Sequence, residues 1–379
     1  DLGTCTTPMY YYGCINLKID SGIMITASHN PKDENGFKFA FSNYDNAKGK
    51  EIEDFYNFIK KGNFHYGKGS ITKKNVKEDY LSALTDNLSF GKRKVKVVLD
   101  PGNGTTATLL DDVFKRVNVD YIIINGESDG NFPNHHPDPS VESNLTVLKE
   151  TVKEKSFDIG LAFDGDGDRV GVVSAEGNFI PIDYYMIIII RNIINKISNK
   201  TFLYDVKCSK SLEDEIIKLG GTPYCYRTGN SYTKAKVKEL DLAFGGELSG
   251  HVYFRDKFLG FDSGIYAGLR LLEILSNTNK TLEGLLVGIN RYYSTPEMKY
   301  KTTDENKFYV VEKIENYCKE KGYTYNSIDG VRVTFVDSWA SLRASNTGPN
   351  LTARFEASTE ERLESIKNEF ESLIFKYNK

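Results

Sequence analysis

The sequence predicts an α/β protein of several similar units that closes on a smaller α+β module. Three observations predict it. First, β-branched runs end in glycine-bearing polar loops and are followed by helical patterns, as at Lys94–Leu99, Asp100–Gly104 and Thr105 onward, the order expected of parallel strands with crossover helices. Second, the chain echoes itself: Asp158-Ile159-Gly160-Leu161-Ala162-Phe163 runs into an acidic glycine loop, and so does Asp241-Leu242-Ala243-Phe244. Third, from about Tyr300 the pattern changes to a helix, two strands and a final amphipathic helix.

The elements follow in order. Gly22-Ile23-Met24-Ile25 is a short apolar run that reads as a buried strand, stopped by Pro31. Phe37–Phe41 is a second strand. Lys50–Lys60 is a helix with Ile52, Phe55, Tyr56 and Ile59 on one face, Lys68–Val76 a connector, and Glu78–Leu88 a closing helix. Lys94–Leu99 is a strand, Thr105 to about Val117 a helix, and Tyr121–Ile124 a parallel strand. Gly102 and Gly104 permit a tight turn, but no third glycine completes a dinucleotide fingerprint. Asn131–Pro139 is a stiff loop whose His135 and His136 read as solvated rather than as metal ligands.

Phe157–Phe163 and Val170–Val173 are strands on either side of Asp164-Gly165-Asp166-Gly167-Asp168-Arg169. An Ile-rich helix opens near Pro181. Phe202–Val206 is the next strand, Ser211–Leu219 a helix ended by Gly220-Gly221, and Tyr224–Tyr226 a strand leading to Arg227-Thr228-Gly229-Asn230-Ser231. Further on come Lys307–Cys318 (helix), Gly330–Asp337 (strand), Ser341–Asn346 (a loop carrying Arg343), Leu351–Glu356 (strand) and Glu360–Phe375 (helix).

Composition excludes several function classes. With 379 residues and 40% hydrophobic content the chain can bury a large core in more than one domain. A formal net charge of -3 gives no global field for nucleic acid. The longest apolar run, Tyr184–Ile190, is too short to span a bilayer. Cys5, Cys14, Cys208, Cys225 and Cys318 are few, odd in number and widely spaced, as in the reduced thiols of a cytoplasmic protein. No secretory signal heads the sequence, and it starts at Asp1 without an initiator methionine.

Four loops carry chemistry. In Thr26-Ala27-Ser28-His29-Asn30-Pro31, with Lys38 beyond, a hydroxyl stands beside a histidine and near a cation: a nucleophile, a proton carrier and a charge. A plain polar turn is the rival reading. Three aspartates at 164, 166 and 168 alternate with glycines that let the backbone curl, so hard oxygen ligands can converge on Mg²⁺ or Ca²⁺. An EF-hand is excluded, because Arg169 and Ala175 stand where its glycine and glutamate belong. Three carboxylates with one divalent ion leave a net negative charge, and the natural completion of the site is one further oxygen ligand from an anionic group, such as a phosphate on Ser28. Gly246-Glu247-Leu248-Ser249-Gly250-His251 can accept from and donate to vicinal hydroxyls. Arg343-Ala344-Ser345-Asn346-Thr347-Gly348 offers a guanidinium, hydroxyls and an amide for a phosphate dianion.

These four loops, in this order and over essentially the whole chain, closely resemble the α-D-phosphohexomutase superfamily, in its bacterial phosphomannomutase/phosphoglucomutase branch. The resemblance implies three α/β domains with mixed or parallel sheets and a smaller C-terminal α+β domain around a central cleft, here 1–90, 91–180, 181–297 and 298–379. It implies a mutase that interconverts hexose 6-phosphate and hexose 1-phosphate, of mannose or glucose or both, through a phosphoserine and a hexose 1,6-bisphosphate. Ser28 would carry the phosphoryl group and, with Asp164, Asp166 and Asp168, hold one Mg²⁺. His29, Lys38, Arg169 and His251 would serve proton transfer, orientation and charge stabilisation, with His251 the favoured base because its neutral form exists at pH 7. Glu247, Ser249, Asn230 and Lys207 would meet the sugar, and Arg343, Ser345, Asn346 and Thr347 the non-reacting phosphate. Hexose phosphates would be its small-molecule partners, and the protein a cytoplasmic monomer or weak dimer. The family's N-terminal segment, which gives the cleft a tyrosine and an arginine, has no counterpart in the sequence. Asn230 stands where the branch usually has histidine, and Gly348 where it has a larger residue. A phosphoglucosamine mutase and an inactive sugar-phosphate-binding homologue are the alternatives; Asn346 speaks against the first, Ser28 and the three aspartates against the second.

Overall fold

The computed structural model describes residues 1–42, 45–345 and 348–379. They form two compact units, one of Asp1–Lys200 with Gly229–Val287, the other of Thr201–Thr228 with Gly288–Lys379.

The first unit is built on a five-stranded sheet in the spatial order Val119–Ile123, Val95–Asp100, Ile159–Phe163, Val170–Ser174, Phe179–Ile180. The first three strands are parallel and the last two antiparallel. Ile159–Phe163 and Val170–Ser174 are buried along their whole length. The cause is a helix on each face, the arrangement that turns alternating strands into continuous apolar runs. Leu148 and Val152 of helix Thr146–Glu154 pack with Val98, Ala162 and Val173. Helix Gly264–Ser276 packs on the same sheet, where a Cβ on Gly268 would lie 2.7 Å from Leu161.

A small antiparallel sheet, Gly22–Ile25, Phe37–Ser42 and Asp45–Asn46, carries the serine loop between its first two strands. Here the expectation of a buried Gly22–Ile25 is corrected. That strand lies at the sheet's edge among the described residues, with Ile23 60% and Ile25 66% exposed. An apolar run records the demand for cover, not its supply. Helix Lys50–Lys61 also has no buried residue, although Phe55 meets the rings of Phe39 and Phe41.

Two further expectations differ. The helix from Thr105 is broken into a 3-10 turn, Thr105–Thr108, and a short helix, Leu110–Phe114. Thr105 gives its N–H and hydroxyl to the carbonyl of Gly165, and Thr108 turns its hydroxyl back to Thr105 O, so side-chain bonding competes with the helical ladder. Asp241 sits in a left-handed turn (φ 49°), and the strand of the second echo starts only at Phe244–Gly246, paired with Val252–Phe254.

The second unit contains a parallel pair, Thr201–Asp205 and Thr222–Tyr226, joined by helix Lys210–Lys218. Beyond it an antiparallel sheet of six strands includes Val331–Thr334, Ser338–Ala344 and Asn350–Ala357. Helices Asp304–Glu320 and Glu360–Tyr377 close its core: Val310, Ile314, Ile366, Phe370 and Ile374 join Val333, Leu342, Ala353 and Phe355. Arg343, expected in a loop, lies near the end of the strand Ser338–Ala344, and the loop begins at Ser345. Among the described residues no helix is long and apolar enough to cross a membrane.

Candidate active site

The first unit brings the serine loop to the acidic loop. Ser28 takes a left-handed conformation (φ 55°), held by its N–H bond to Thr26 Oγ1 at 2.9 Å. Such a backbone is costly for a non-glycine residue and persists only where the surroundings fix it. Its Oγ donates to Asp164 Oδ2 at 2.9 Å and lies 3.2 Å from His29 Nδ1. The contact requires a glycine opposite: a Cβ on Gly165 would stand 2.3 Å from Ser28 O.

Asp164, Asp166 and Asp168 turn carboxylate oxygens to within 4.8 Å of one another, all three buried. Thr7 and Thr26 donate to Asp166 Oδ2 at 2.7 and 3.0 Å. Lys38 Nζ reaches Asp166 Oδ2 at 2.9 Å and Asp168 Oδ2 at 2.5 Å. Burial and the two neighbouring carboxylates push Asp164 well above the usual carboxylate range. Asp168 is held low: burial opposes this, and Lys38 overrides it. Asp166 Oδ1 and Asp168 Oδ1 are buried with no hydrogen-bond partner. Buried carboxylate oxygens without donors call for a cation, so the donor set fits a hard divalent ion such as Mg²⁺.

Arg169 and His251 complete the site. Arg169 Nε donates to His251 Nε2 at 3.0 Å, and Arg169 Nη1 lies 3.8 Å from Asp138 Oδ1. His251 Nδ1 is 2.7 Å from Asp262 Oδ2 and 3.5 Å from Asp168 Oδ1. Burial lowers the His251 pKa, but Asp168 and Asp262 outweigh it and leave it raised. His29, by contrast, is pushed down to about 4 by burial and the Arg169 cation; it is neutral at pH 7. The 246–251 loop leans on this region through the Gly250 carbonyl, which accepts from Val170 N at 3.2 Å.

Glu247 is buried, and its Oε1 accepts from Gly229 N at 3.1 Å and from the Thr233 hydroxyl; Ser249 Oγ is 3.4 Å from Oε2. Asn230, expected as a sugar contact, gives its amide N–H to Asp262. A cavity of about 390 Å³ is lined by Ser28, His29, Lys38, Arg169, Asn230 and His251. A larger cavity of about 750 Å³ also touches Ser28, but its walls include Leu2, Leu17, Ile19, Ile23 and Met24. Of the two, only the smaller brings Ser28 together with His29, Lys38, Arg169 and His251.

In the second unit, Lys207 Nζ is 3.4 Å from Glu297 Oε2 and 3.8 Å from Asp205 Oδ2. Arg343 Nε donates to Asp329 Oδ2 at 3.0 Å, and Ser345 N to Asn350 O at 2.8 Å. Asn346 and Thr347 lie outside the described residues. Sequence reasoning missed Thr7, Asp138, Asp262 and Asp329. The signals were slight: Thr7 preceding Pro8, Asp138 between two prolines, Asp262 before the helix-capping Ser263, and Asp329 before Gly330.

The chain matches four family models in succession. They are phosphoglucomutase/phosphomannomutase alpha/beta/alpha domain I over residues 1–65, domain II over 78–177, domain III over 181–292, and the C-terminal domain over 297–373. It is 40% identical over 376 residues to a phosphomannomutase/phosphoglucomutase of Pseudomonas syringae pv. tomato, covering 99% of this chain and 80% of that protein. It is 37% identical over 378 residues to a phosphoglucomutase of Neisseria gonorrhoeae, covering 99% and 82%. A crystal structure of a phosphoglucomutase/phosphomannomutase family protein from Burkholderia thailandensis superposes with a TM-score of 0.89 at 34% identity, covering 98% and 81%. The fold and site define a phosphoryl-transfer enzyme. The chain belongs to the phosphoglucomutase/phosphomannomutase family, whose reaction class is the phosphotransferase-type isomerase.

Proposed function

We propose that the protein interconverts hexose 6-phosphate and hexose 1-phosphate, of mannose or glucose, with Ser28 as the residue that carries the phosphoryl group between substrates. The single observation that supports this most is the hydrogen bond from Ser28 Oγ to Asp164 Oδ2, which joins the nucleophile to the acidic triad. The names of the relatives at 37–40% identity support the same reaction.

In the first half of the reaction, a sugar hydroxyl attacks the phosphorus on Ser28. The new O–P bond forms as the Ser28 Oγ–P bond breaks, giving a hexose 1,6-bisphosphate. The hydroxyl proton is taken at His251 Nε2 and returned to Ser28 Oγ. Asp262 supports this assignment: by accepting from Nδ1–H it leaves Nε2 as the basic nitrogen. Arg169 Nε–H occupies that nitrogen here and would have to turn away to admit substrate. Lys38 and Arg169 offset negative charge that develops at the phosphoryl group, and neutral His29 orients Ser28. Asp164, Asp166, Asp168 and the phosphoserine would hold Mg²⁺, which would supply electrostatic stabilisation of the transferring group. The bisphosphate then turns round and its other phosphate returns to Ser28. Glu247 and Ser249 would hold sugar hydroxyls, and Lys207 is a further substrate-binding residue. Asn230 serves the site through Asp262. Arg343, Ser345, Asn346 and Thr347 would hold the phosphate that does not react.

The test is a mutase assay across mannose, glucose and glucosamine 1-phosphates with hexose 1,6-bisphosphate and Mg²⁺. Turnover of mannose or glucose phosphate is expected. Turnover of glucosamine phosphate alone would select the phosphoglucosamine mutase reading, and no turnover at all the inactive sugar-phosphate-binding reading.

A further inference from the structure

Helix Asp304–Glu320 opens as its dipole favours, with Thr303 as N-cap and Asp304 and Glu305 in the first turn. Lys307 breaks the rule. It is a cation at the positive end of a helix, and it is only 7% exposed. A buried ammonium in that place persists only if its donors are met. Three partners meet them: Asp304 Oδ1 at 2.8 Å, the backbone carbonyl of Ser345 at 2.9 Å and that of Gly348 at 3.3 Å. An ammonium has three N–H donors, and this one spends two on the carbonyls that bracket positions 346 and 347.

A second residue grips the same segment from its other end. Asp329 Oδ2 accepts from Arg343 Nε at 3.0 Å and from Thr228 N at 3.0 Å. The approach depends on Gly330. Its φ is 78°, and a Cβ there would stand 2.2 Å from Leu342 O and 2.7 Å from Arg343 Cα. Engaging Arg343 through Nε leaves the two terminal guanidinium nitrogens to form the paired bonds that suit a phosphate.

We propose that Lys307 and Asp329 are the positioning residues of the phosphate-binding segment 343–348. Lys307 holds the carbonyls of Ser345 and Gly348 in place, and Asp329 fixes the guanidinium of Arg343. This rests on the reading that the segment binds the substrate's non-reacting phosphate. A lysine that merely ties down a surface loop would affect thermal stability and leave phosphate affinity alone, so the two roles separate experimentally.

The test compares the full chain with Lys307→Gln, Asp329→Asn, Lys307→Arg and, as the reference for loss of the segment, Arg343→Ala. Inorganic phosphate is titrated calorimetrically, and KM and kcat are measured with glucose 1-phosphate and the bisphosphate activator. Phosphate Kd and KM are expected to rise about tenfold in Lys307→Gln and Asp329→Asn, the scale of one charge-assisted hydrogen bond. Kcat is expected to change much less, and Lys307→Arg to recover part of the affinity. Asp329→Asn preserves volume and carries the comparison even if Lys307→Gln fails to fold. Parental Kd and KM in both variants, with Arg343→Ala weakened, would overturn the proposal and leave the phosphate reading standing. An Arg343→Ala protein with parental affinity would remove both.

Discussion

Ser28 and Asp164 stand 136 positions apart in the chain, yet Oγ of one lies 2.9 Å from Oδ2 of the other. A left-handed serine makes the contact from one side. On the other, Gly165 leaves room that a single methyl group would fill.

Gly165→Ala therefore strikes the junction itself. The added Cβ would meet Ser28 O at 2.3 Å, so one loop must move. Displacement on the ångström scale at a reacting group costs about 100-fold in rate. We expect a kcat loss of that order, measured in the coupled mutase assay. Parental kcat would show that the two loops do not act together.

Metal removal tests the triad. Asp164 is pushed upward by burial and by Asp168 and Asp166, a conflict that a divalent cation relieves. Activity is expected to fall to background in excess EDTA and to return with added Mg²⁺. Full activity in EDTA would reject the metal assignment.

Asp262 is predicted to matter as much as the histidine it holds. Its Oδ2 lies 2.7 Å from His251 Nδ1. In Asp262→Asn the amide can present N–H to Nδ1 and favour the wrong tautomer, so kcat should fall about 100-fold, within the range of general-base contributions. An unchanged kcat would show that His251 needs no such partner.

The loop 131–139 should be pH-sensitive. His135 Nε2 is 3.1 Å from Asp100 Oδ2, and Nδ1 is 2.9 Å from His136 O. The hydrogen bond to Asp100 raises the His135 pKa, and burial only partly offsets it. The folded state thus favours charged His135. Its contribution is complete below the unfolded value of about 6.5 and fades as pH rises through the raised folded value. The difference in thermal midpoint between the parent and His135→Gln should be larger at pH 5.5 than at pH 9. A difference that is constant or grows with pH would contradict it.

The strand-and-loop grammar of the chain was legible because burial writes itself as apolar runs: Ile159–Phe163 and Val170–Ser174 are buried end to end, as their sequences announce. The acidic triad was legible because its three aspartates are neighbours in sequence. What one run of residues could not reveal is what covers it. Ile23 and Ile25 look like core and are exposed. Nor could local pattern show that Thr105 and Thr108 would divert their bonds from a helix, or that Arg343 would ride a strand. Asp138, Asp262 and Asp329 are single aspartates whose significance lies wholly in distant partners: Arg169, His251 and Arg343.

The most direct measurement is intact mass of the parent and of Ser28→Ala after incubation with glucose 1,6-bisphosphate and Mg²⁺, followed by peptide mapping. A gain of about 80 Da, one phosphoryl group, is expected on the parent, mapped to Ser28, and none on Ser28→Ala, which is also devoid of turnover. A phosphoryl group on another residue, or undiminished turnover by Ser28→Ala, would contradict it.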